Sequence, residues 1–200
     1  MQSPELSPLP PDFLARWERW YPDAPPVGFL LREAYADRWL RIHAMPASKR
    51  MPTSGWDYAE LVGRYNAVAD EVLGSGSICA LVVLHECDAD WASQLSGAVE
   101  STRLQDLGML PEDLWDEEAG AFAVPMCIRG AMTVWNRGGF DGFFSAAAQD
   151  RLRGLLVEAH RGQVVAPYDG GADLIFATSW ERDQARDRYS DWISPRADGL

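Results

Sequence analysis

Apolar and polar positions recur with more than one period along this chain, and each change of period marks a new element. Phe13, Leu14, Trp17 and Trp20 follow at helical spacing behind Pro11. Proline suits a first helical turn, where its missing N–H has no partner to lose. Pro22, Pro25 and Pro26 close that helix, and residues 28–34 fit either a short helix or an extended segment. The period then drops to two. Trp39, Arg41 and His43 fall on one face, and Leu40, Ile42 and Ala44 on the other, which predicts a half-buried strand. Pro46–Gly55 reads as a loop. Trp56–Leu73 carries a long helical stripe of Tyr58, Leu61, Val62, Tyr65, Val68, Ala69 and Val72, with Gly74 placed to cap it.

Ile78–His85 reads ICALVVLH, a nearly unbroken apolar run that predicts a central strand buried on both faces. Helical pieces are expected near Trp91–Val99 and Arg103–Leu110. Ala121–Ile128 and Met132–Trp135 suggest a hairpin around Arg129-Gly130, and Phe140–Gln149 a helix. Leu155–Val157, Gln163–Ala166 and Leu174–Ala177 read as strands. Thr178 and Glu181 have capping-box spacing ahead of a last helix, Trp180–Ile193. Strands outnumber strand–helix alternations in the second half. The expected fold class is therefore α+β, one globular domain over residues 11–200. Its sheet, of about five to seven strands, is mixed or largely antiparallel with helices packed on it. Residues 1–10 form a flexible proline-rich lead-in.

Composition changes this picture little. With 200 residues, 47% hydrophobic and 24% charged, a chain can bury a sizeable core without disulfides or a structural metal. No metal or cofactor is expected. Cys79, Cys87 and Cys127 show no Cys-x-x-Cys spacing and read as inert thiols. That reading, with an N-terminus lacking signal-peptide features, points to a reducing cytoplasm. No stretch approaches the about 18 apolar residues that a membrane span requires.

Charge changes the picture more. Net charge is −12, and Glu86–Glu118 holds ten acidic residues against one basic residue, Arg103. Such a surface repels nucleic acid and attracts a basic protein. Glu112, Asp113, Asp116, Glu117 and Glu118 are the candidate partner contacts. The first functional reading is a non-enzymatic protein-binding module, immunity-like, that engages a basic partner through segment 86–118. A solvated acidic face that only aids solubility is the plainer alternative.

Catalytic motifs are missing. Gly74-Ser75-Gly76-Ser77 follows a helix and lacks the Lys-Ser/Thr ending of a phosphate loop. His85-Glu86-Cys87 and Pro125-Met126-Cys127 miss the zinc deaminase spacings. What remains is polar chemistry at strand ends: Trp39, Arg41 and His43, and the stretch Tyr168-Asp169-Gly170-Gly171 with Asp173 beyond it. An arginine, a histidine and an aromatic on one face suit an anion or acid–base work. Asp-Gly between apolar runs is first of all a tight turn that tolerates positive φ. Asp173 is not explained by the turn, since aspartate is depleted in strands. It predicts an arginine partner on the first strand or the final helix. The second functional reading is thus a small enzyme, or an anion- or small-ligand-binding domain. Its site would join Arg41 and His43 to Tyr168, Asp169 and Asp173.

Three stretches carry a family resemblance: Gly28–Pro52, Pro167–Phe176 and Glu181–Leu200. The Tyr-Asp-Gly turn, Asp173 and the closing Tyr189-x-x-Trp192 are its most distinctive parts. Together they resemble the bacterial domain of unknown function 3885 family over about half the chain, leaving out the acidic middle. The resemblance implies a compact bacterial cytosolic domain. It implies no reaction and assigns no catalytic residue.

Overall fold

The apolar run Ile78–Glu86 forms β2, the strand on which both halves of the core are built. Cys79, Leu81 and Val83 face one layer of helices, and Ala80, Val82 and Leu84 face the other. In this computed structural model, which describes residues 4–46, 49–87, 90–95, 98–114 and 122–194, the remaining strands are β1 (Trp39–His43), β3 (Gln105–Met109), β4 (Met126–Val134), β5 (Arg153–Glu158), β6 (Val164–Tyr168) and β7 (Gly171–Ile175). The helices are α1 (Phe13–Trp20), α2 (Gly28–Ala34), α3 (Gly55–Leu73), α4 (Trp91–Gln94), α5 (Asp141–Ala148) and α6 (Ser179–Arg188).

The strands form one seven-stranded open sheet in the order β1-β7-β6-β5-β2-β4-β3. Every neighbouring pair is antiparallel. α3, α5 and α6 supply buried side chains to one face, and α1 and α2 to the other. This is a single α+β domain. α3 starts where Ser54 accepts from Asp57 N at 3.1 Å and Asp57 accepts from Ser54 N at 2.9 Å, a reciprocal cap. Residues 4–10, expected as a loose lead-in, lie against β4. Ser7 pairs with Met132, and Leu6 and Leu9 are buried.

Several expectations need correction. The hairpin expected around Arg129-Gly130 does not form. Arg129 and Gly130 lie in mid-strand in β4, because β2 offers partners from Ile78 to Glu86 along β4's whole length. A turn there would have broken that ladder. Arg103–Leu110 is not helical either. Arg103 only closes a 3-10 turn that begins at Ser101, and Gln105–Met109 pairs with β4 as β3, with a bulge at Asp106–Gly108. The helix expected over Trp91–Val99 is confined to Trp91–Gln94. The capping box at Thr178 is half formed. Thr178 Oγ1 accepts from Glu181 N at 3.2 Å, while the Glu181 carboxylate accepts from the Thr178 hydroxyl and from Arg161. α6 ends at Arg188, and Ser190–Trp192 continues as a 3-10 turn that stacks Trp192 on Tyr189.

The cysteines are the last correction. Cys87 and Cys127 form a disulfide with Cα atoms 5.0 Å apart. The β2–β4 register sets His85 opposite Cys127, and Cys87 N donates to Pro125 O just beyond. Only Cys79 is a buried free thiol, and burial pushes its pKa up to about 12. The disulfide closes a loop that begins in the acidic segment. Within that segment Glu112 and Asp113 lie in an exposed 3-10 turn. Asp116, Glu117 and Glu118 fall outside the described residues. Among the described residues, no helix is long and apolar enough to cross a membrane.

Candidate functional site

Asp173 occupies the middle of β7, opposite Arg41 on β1 and Ala166 on β6. It is 3% exposed. A buried carboxylate is stable only when paired and hydrogen-bonded, and here both conditions hold. Its Oδ1 accepts from Trp39 Nε1 at 2.8 Å and from Arg41 Nε at 3.1 Å. Arg32 Nη1, on α2, stands 4.0 Å from Oδ2. The partner expected on the first strand is therefore Arg41; the second arginine comes from α2 and not from the final helix.

The Arg41 guanidinium lies 5.5 Å from the Trp39 ring centroid and 5.0 Å from that of Tyr168. Both contacts are of cation–π type. Only Nε faces Asp173. Among the described residues the two Nη atoms of Arg41 bond to no other side chain or carbonyl. Arg41 lines a cavity of about 320 Å³ together with Asp173, Tyr168, Arg32, Arg153 and Phe122.

The opening has a cause in the sequence. Gln163 O accepts from Glu158 N at 2.9 Å, so Gln163, Val165 and Pro167 turn their backbone groups toward β5. Val165 pairs with Leu156, but Pro167 has no N–H to continue the ladder. Pairing of β5 with β6 stops at Val165. Arg153 and Gly154 on one strand, and Pro167 and Tyr168 on the other, stand apart and line the cavity. α2 forms its far wall. It sits close to the sheet because Gly28 faces Ala166, where an added Cβ would come within 2.6 Å of the Ala166 Cβ.

The turn itself is real. Tyr168 pairs with Gly171, leaving Asp169 and Gly170 at the corner. Neither Asp169, Gly170 nor Gly171 takes a positive φ. Glycine is required at 171 for a different reason: a Cβ there would lie 2.0 Å from the Ile42 carbonyl oxygen. The Tyr65 hydroxyl fastens the same end from below, within 2.9 Å of Tyr168 O and 2.8 Å of Gly171 O.

Of the residues singled out from sequence, Trp39, Arg41, Tyr168 and Asp173 come together. His43 and Asp169 do not line the cavity. Asp169 accepts from Arg50 Nη2 at 2.5 Å near the surface. His43 pairs with Gly171 at the hairpin end, and its carbonyl accepts from Arg64 Nη1 at 3.2 Å. Burial, then Arg41 and Arg64, lowers its pKa. Arg32, Arg153 and Phe122 carried no sequence signal. Only Pro167, a proline next to a strand pattern, hinted at the opening. No three His, Cys, Asp or Glu side chains converge as a metal group among the described residues.

A second polar cluster lies beside the cavity. Arg129 Nε donates to His85 Nε2 at 3.2 Å, so Nδ1 carries the proton and donates to Glu86 O at 2.8 Å. The His85 ring stacks on Trp91, and the Arg129 guanidinium lies over Trp91 at 4.4 Å. His85 is held neutral mainly by burial, which lowers its pKa; Arg129 acts the same way, while Glu86 O and Asp106 oppose it. An unfolded histidine binds its proton near pH about 6.5, and folded His85 binds it only at lower pH. Between those values the unfolded chain holds more protons, so stability rises with pH and is complete above about 6.5. Urea midpoints measured from pH 7.5 down to 5.5 should fall, and His85→Gln should flatten part of that fall. An unchanged slope in the variant would exclude His85 as a source.

A protein-family model described as a domain of unknown function, DUF3885, matches residues 27–197. No curated protein and no solved structure matches the chain.

Proposed function

The chain belongs to the DUF3885 family, and we propose that it is a small-ligand-binding domain whose site is the cavity around Arg41, Tyr168 and Asp173. One observation carries this reading. Arg41 is held by a buried carboxylate and lies beside two aromatic rings, and it lines the cavity with two donor nitrogens that bond to no other described residue. A structural ion pair alone has no need of unspent donors beside an apolar hollow. Pockets that bind small molecules combine mostly apolar walls with a few fixed polar groups.

Binding is favoured over catalysis. Among the described residues no histidine, serine or cysteine lines the cavity. Tyr168 is kept protonated, since burial, then Asp173, raises its pKa far above the ordinary tyrosine value. A fragment library titrated into ¹⁵N-labelled protein tests the proposal. Binders should shift the Trp39 indole N–H and the amides of Ala166 to Asp173. If no fragment at millimolar concentration moves them, the reading is wrong.

The exposed Glu112 and Asp113 support a second reading, a protein-binding module that meets a basic partner through segment 86–118. Loss of a captured partner on neutralising Glu112 and Asp113 would favour it; an unchanged set of partners would sink it. With net charge −12, nucleic acid is not proposed as a ligand. A setting in the bacterial cytoplasm requires Cys87 and Cys127 to stand there as thiols, against the disulfide formed here. Alkylation in intact cells, followed by a free-thiol count, decides that point.

A further inference from the structure

We infer that the ligand of this cavity is a monocarboxylate carried on a flat or branched apolar body. The inference rests on the cavity reading above and names its chemical class. Charge comes first. Among the lining residues Arg32 and Arg41 face a single buried carboxylate, Asp173, so the buried wall holds two cations to one anion; the other carboxylate near Arg32, Glu33 at 3.8 Å, is 68% exposed at its side chain and lies outside the lining. The outer pair, Arg153 and Asp150, is 3.7 Å apart, mostly exposed and neutral in sum. One negative charge on the ligand completes the balance. A phosphate dianion would leave a negative surplus inside a low-dielectric wall, and an amine would add to the positive one.

Geometry comes second. A guanidinium that gives Nε to one carboxylate still has its Nη donors in the same plane, in the fork that matches a carboxylate's two oxygens. Trp39 and Tyr168 hold that plane by flanking it. Arg41 is thus aimed before any ligand arrives, and little rotamer freedom is lost on binding.

The walls come third. Val27, Phe29, Leu84, Phe122, Leu152 and Pro167 surround the rest of the space. The Phe29 and Phe122 rings meet at 5.7 Å with 56° between their planes, a tilted pair that presents both a face and an edge to an inserted group. These residues cannot hydrogen-bond a sugar or a polyol, so hydroxyls buried there would go unpaired. A volume of about 320 Å³ lies at the small end of ligand pockets and suits a compact acid more than a nucleotide.

The test is a matched series on wild-type protein, read by the Trp39 indole and the Ala166 to Asp173 amides. The probes are 3-phenylpropanoate, 3-phenylpropan-1-ol, 3-phenylpropylamine, phenyl phosphate and inorganic phosphate. The carboxylate should bind about tenfold or more tightly than each of the others, the scale of one charge-assisted hydrogen-bonded pair. Arg41→Lys and, separately, Arg32→Gln should each weaken it by a similar factor, while Glu18→Gln, at an exposed position of α1, leaves it unchanged. If the alcohol, the amine or either phosphate binds these residues as tightly, the carboxylate assignment fails and the cavity reading stands. If no probe in the series moves these signals, the carboxylate assignment fails, and the broader fragment screen then decides whether the cavity reading falls too. The wild-type series decides the class even if Arg41→Lys does not fold.

Discussion

Asp173→Ala should lower the stability of the folded protein by about 3–5 kcal/mol, the usual loss when one partner of a buried ion pair is removed. The loss comes from what remains. Arg41, 13% exposed at its side chain, would keep its charge and lose its nearest carboxylate, and Trp39 Nε1 would lose its acceptor. Arg32, itself a cation, cannot replace the lost carboxylate for Arg41. Asp173→Asn keeps an oxygen for both donors and removes only the charge, so it should cost less, about 1–3 kcal/mol. Urea unfolding followed by tryptophan fluorescence reads both variants. Equal losses for alanine and asparagine would show that charge alone matters. No loss in either would mean that the ion pair contributes nothing to stability.

Gly171→Ala is the second large effect expected. Its new Cβ would lie 2.0 Å from the Ile42 carbonyl oxygen and 3.0 Å from the Tyr168 hydroxyl. The first contact is with backbone in a paired strand, which cannot turn aside as a side chain can. β1 must move away from β7 at its His43 end, and with it the Ala44 N to Gly170 O bond at 3.0 Å. A cost of about 3 kcal/mol is expected, at the upper end of the overpacking range. The same change at Gly170 is the control. A Cβ there meets nothing closer than 3.3 Å, from the edge of the Tyr168 ring. Comparable midpoints for the two variants would show that β1 gives way freely.

What the sequence revealed followed from whether a pattern depended on one neighbour or many. Trp39–His43 alternates because one face of β1 meets the α3 side of the core, and a single buried face leaves a plain period of two. ICALVVLH was legible because a strand covered on both sides is apolar over nearly all its length, with His85 alone in the run polar. Gln105–Met109 misled because an edge strand paired on one side only, with a bulge at Asp106–Gly108, shows no plain alternation. Arg129-Gly130 misled because a turn dipeptide in mid-strand is recognisable only once β2 is known to run alongside. In the site, Asp173 announced itself by breaking the rule for strands, and its partner on the first strand followed. Arg32, Arg153 and Phe122 were hidden, since their meeting depends on the order of strands in the sheet and on where β5 leaves β6. The Cys87–Cys127 bridge was hidden for the same reason: it joins residues 40 apart that only the β2–β4 register brings together.

The pairing of β1 with β7 also sets a schedule. Arg41 and Asp173 are 132 residues apart, and the strand that joins them is the last of the sheet to be made. Contacts over such sequence separations form late and slowly, because the chain must close its longest loop before it is rewarded. On the ribosome, Trp39 and Arg41 emerge long before the carboxylate that orients them. A nascent chain ending before β7 holds the ring, the cation and most of the apolar wall, yet has no binding site. The cavity therefore exists only once β7 has been made and has joined the sheet, and ligand binding would report that synthesis has passed Asp173.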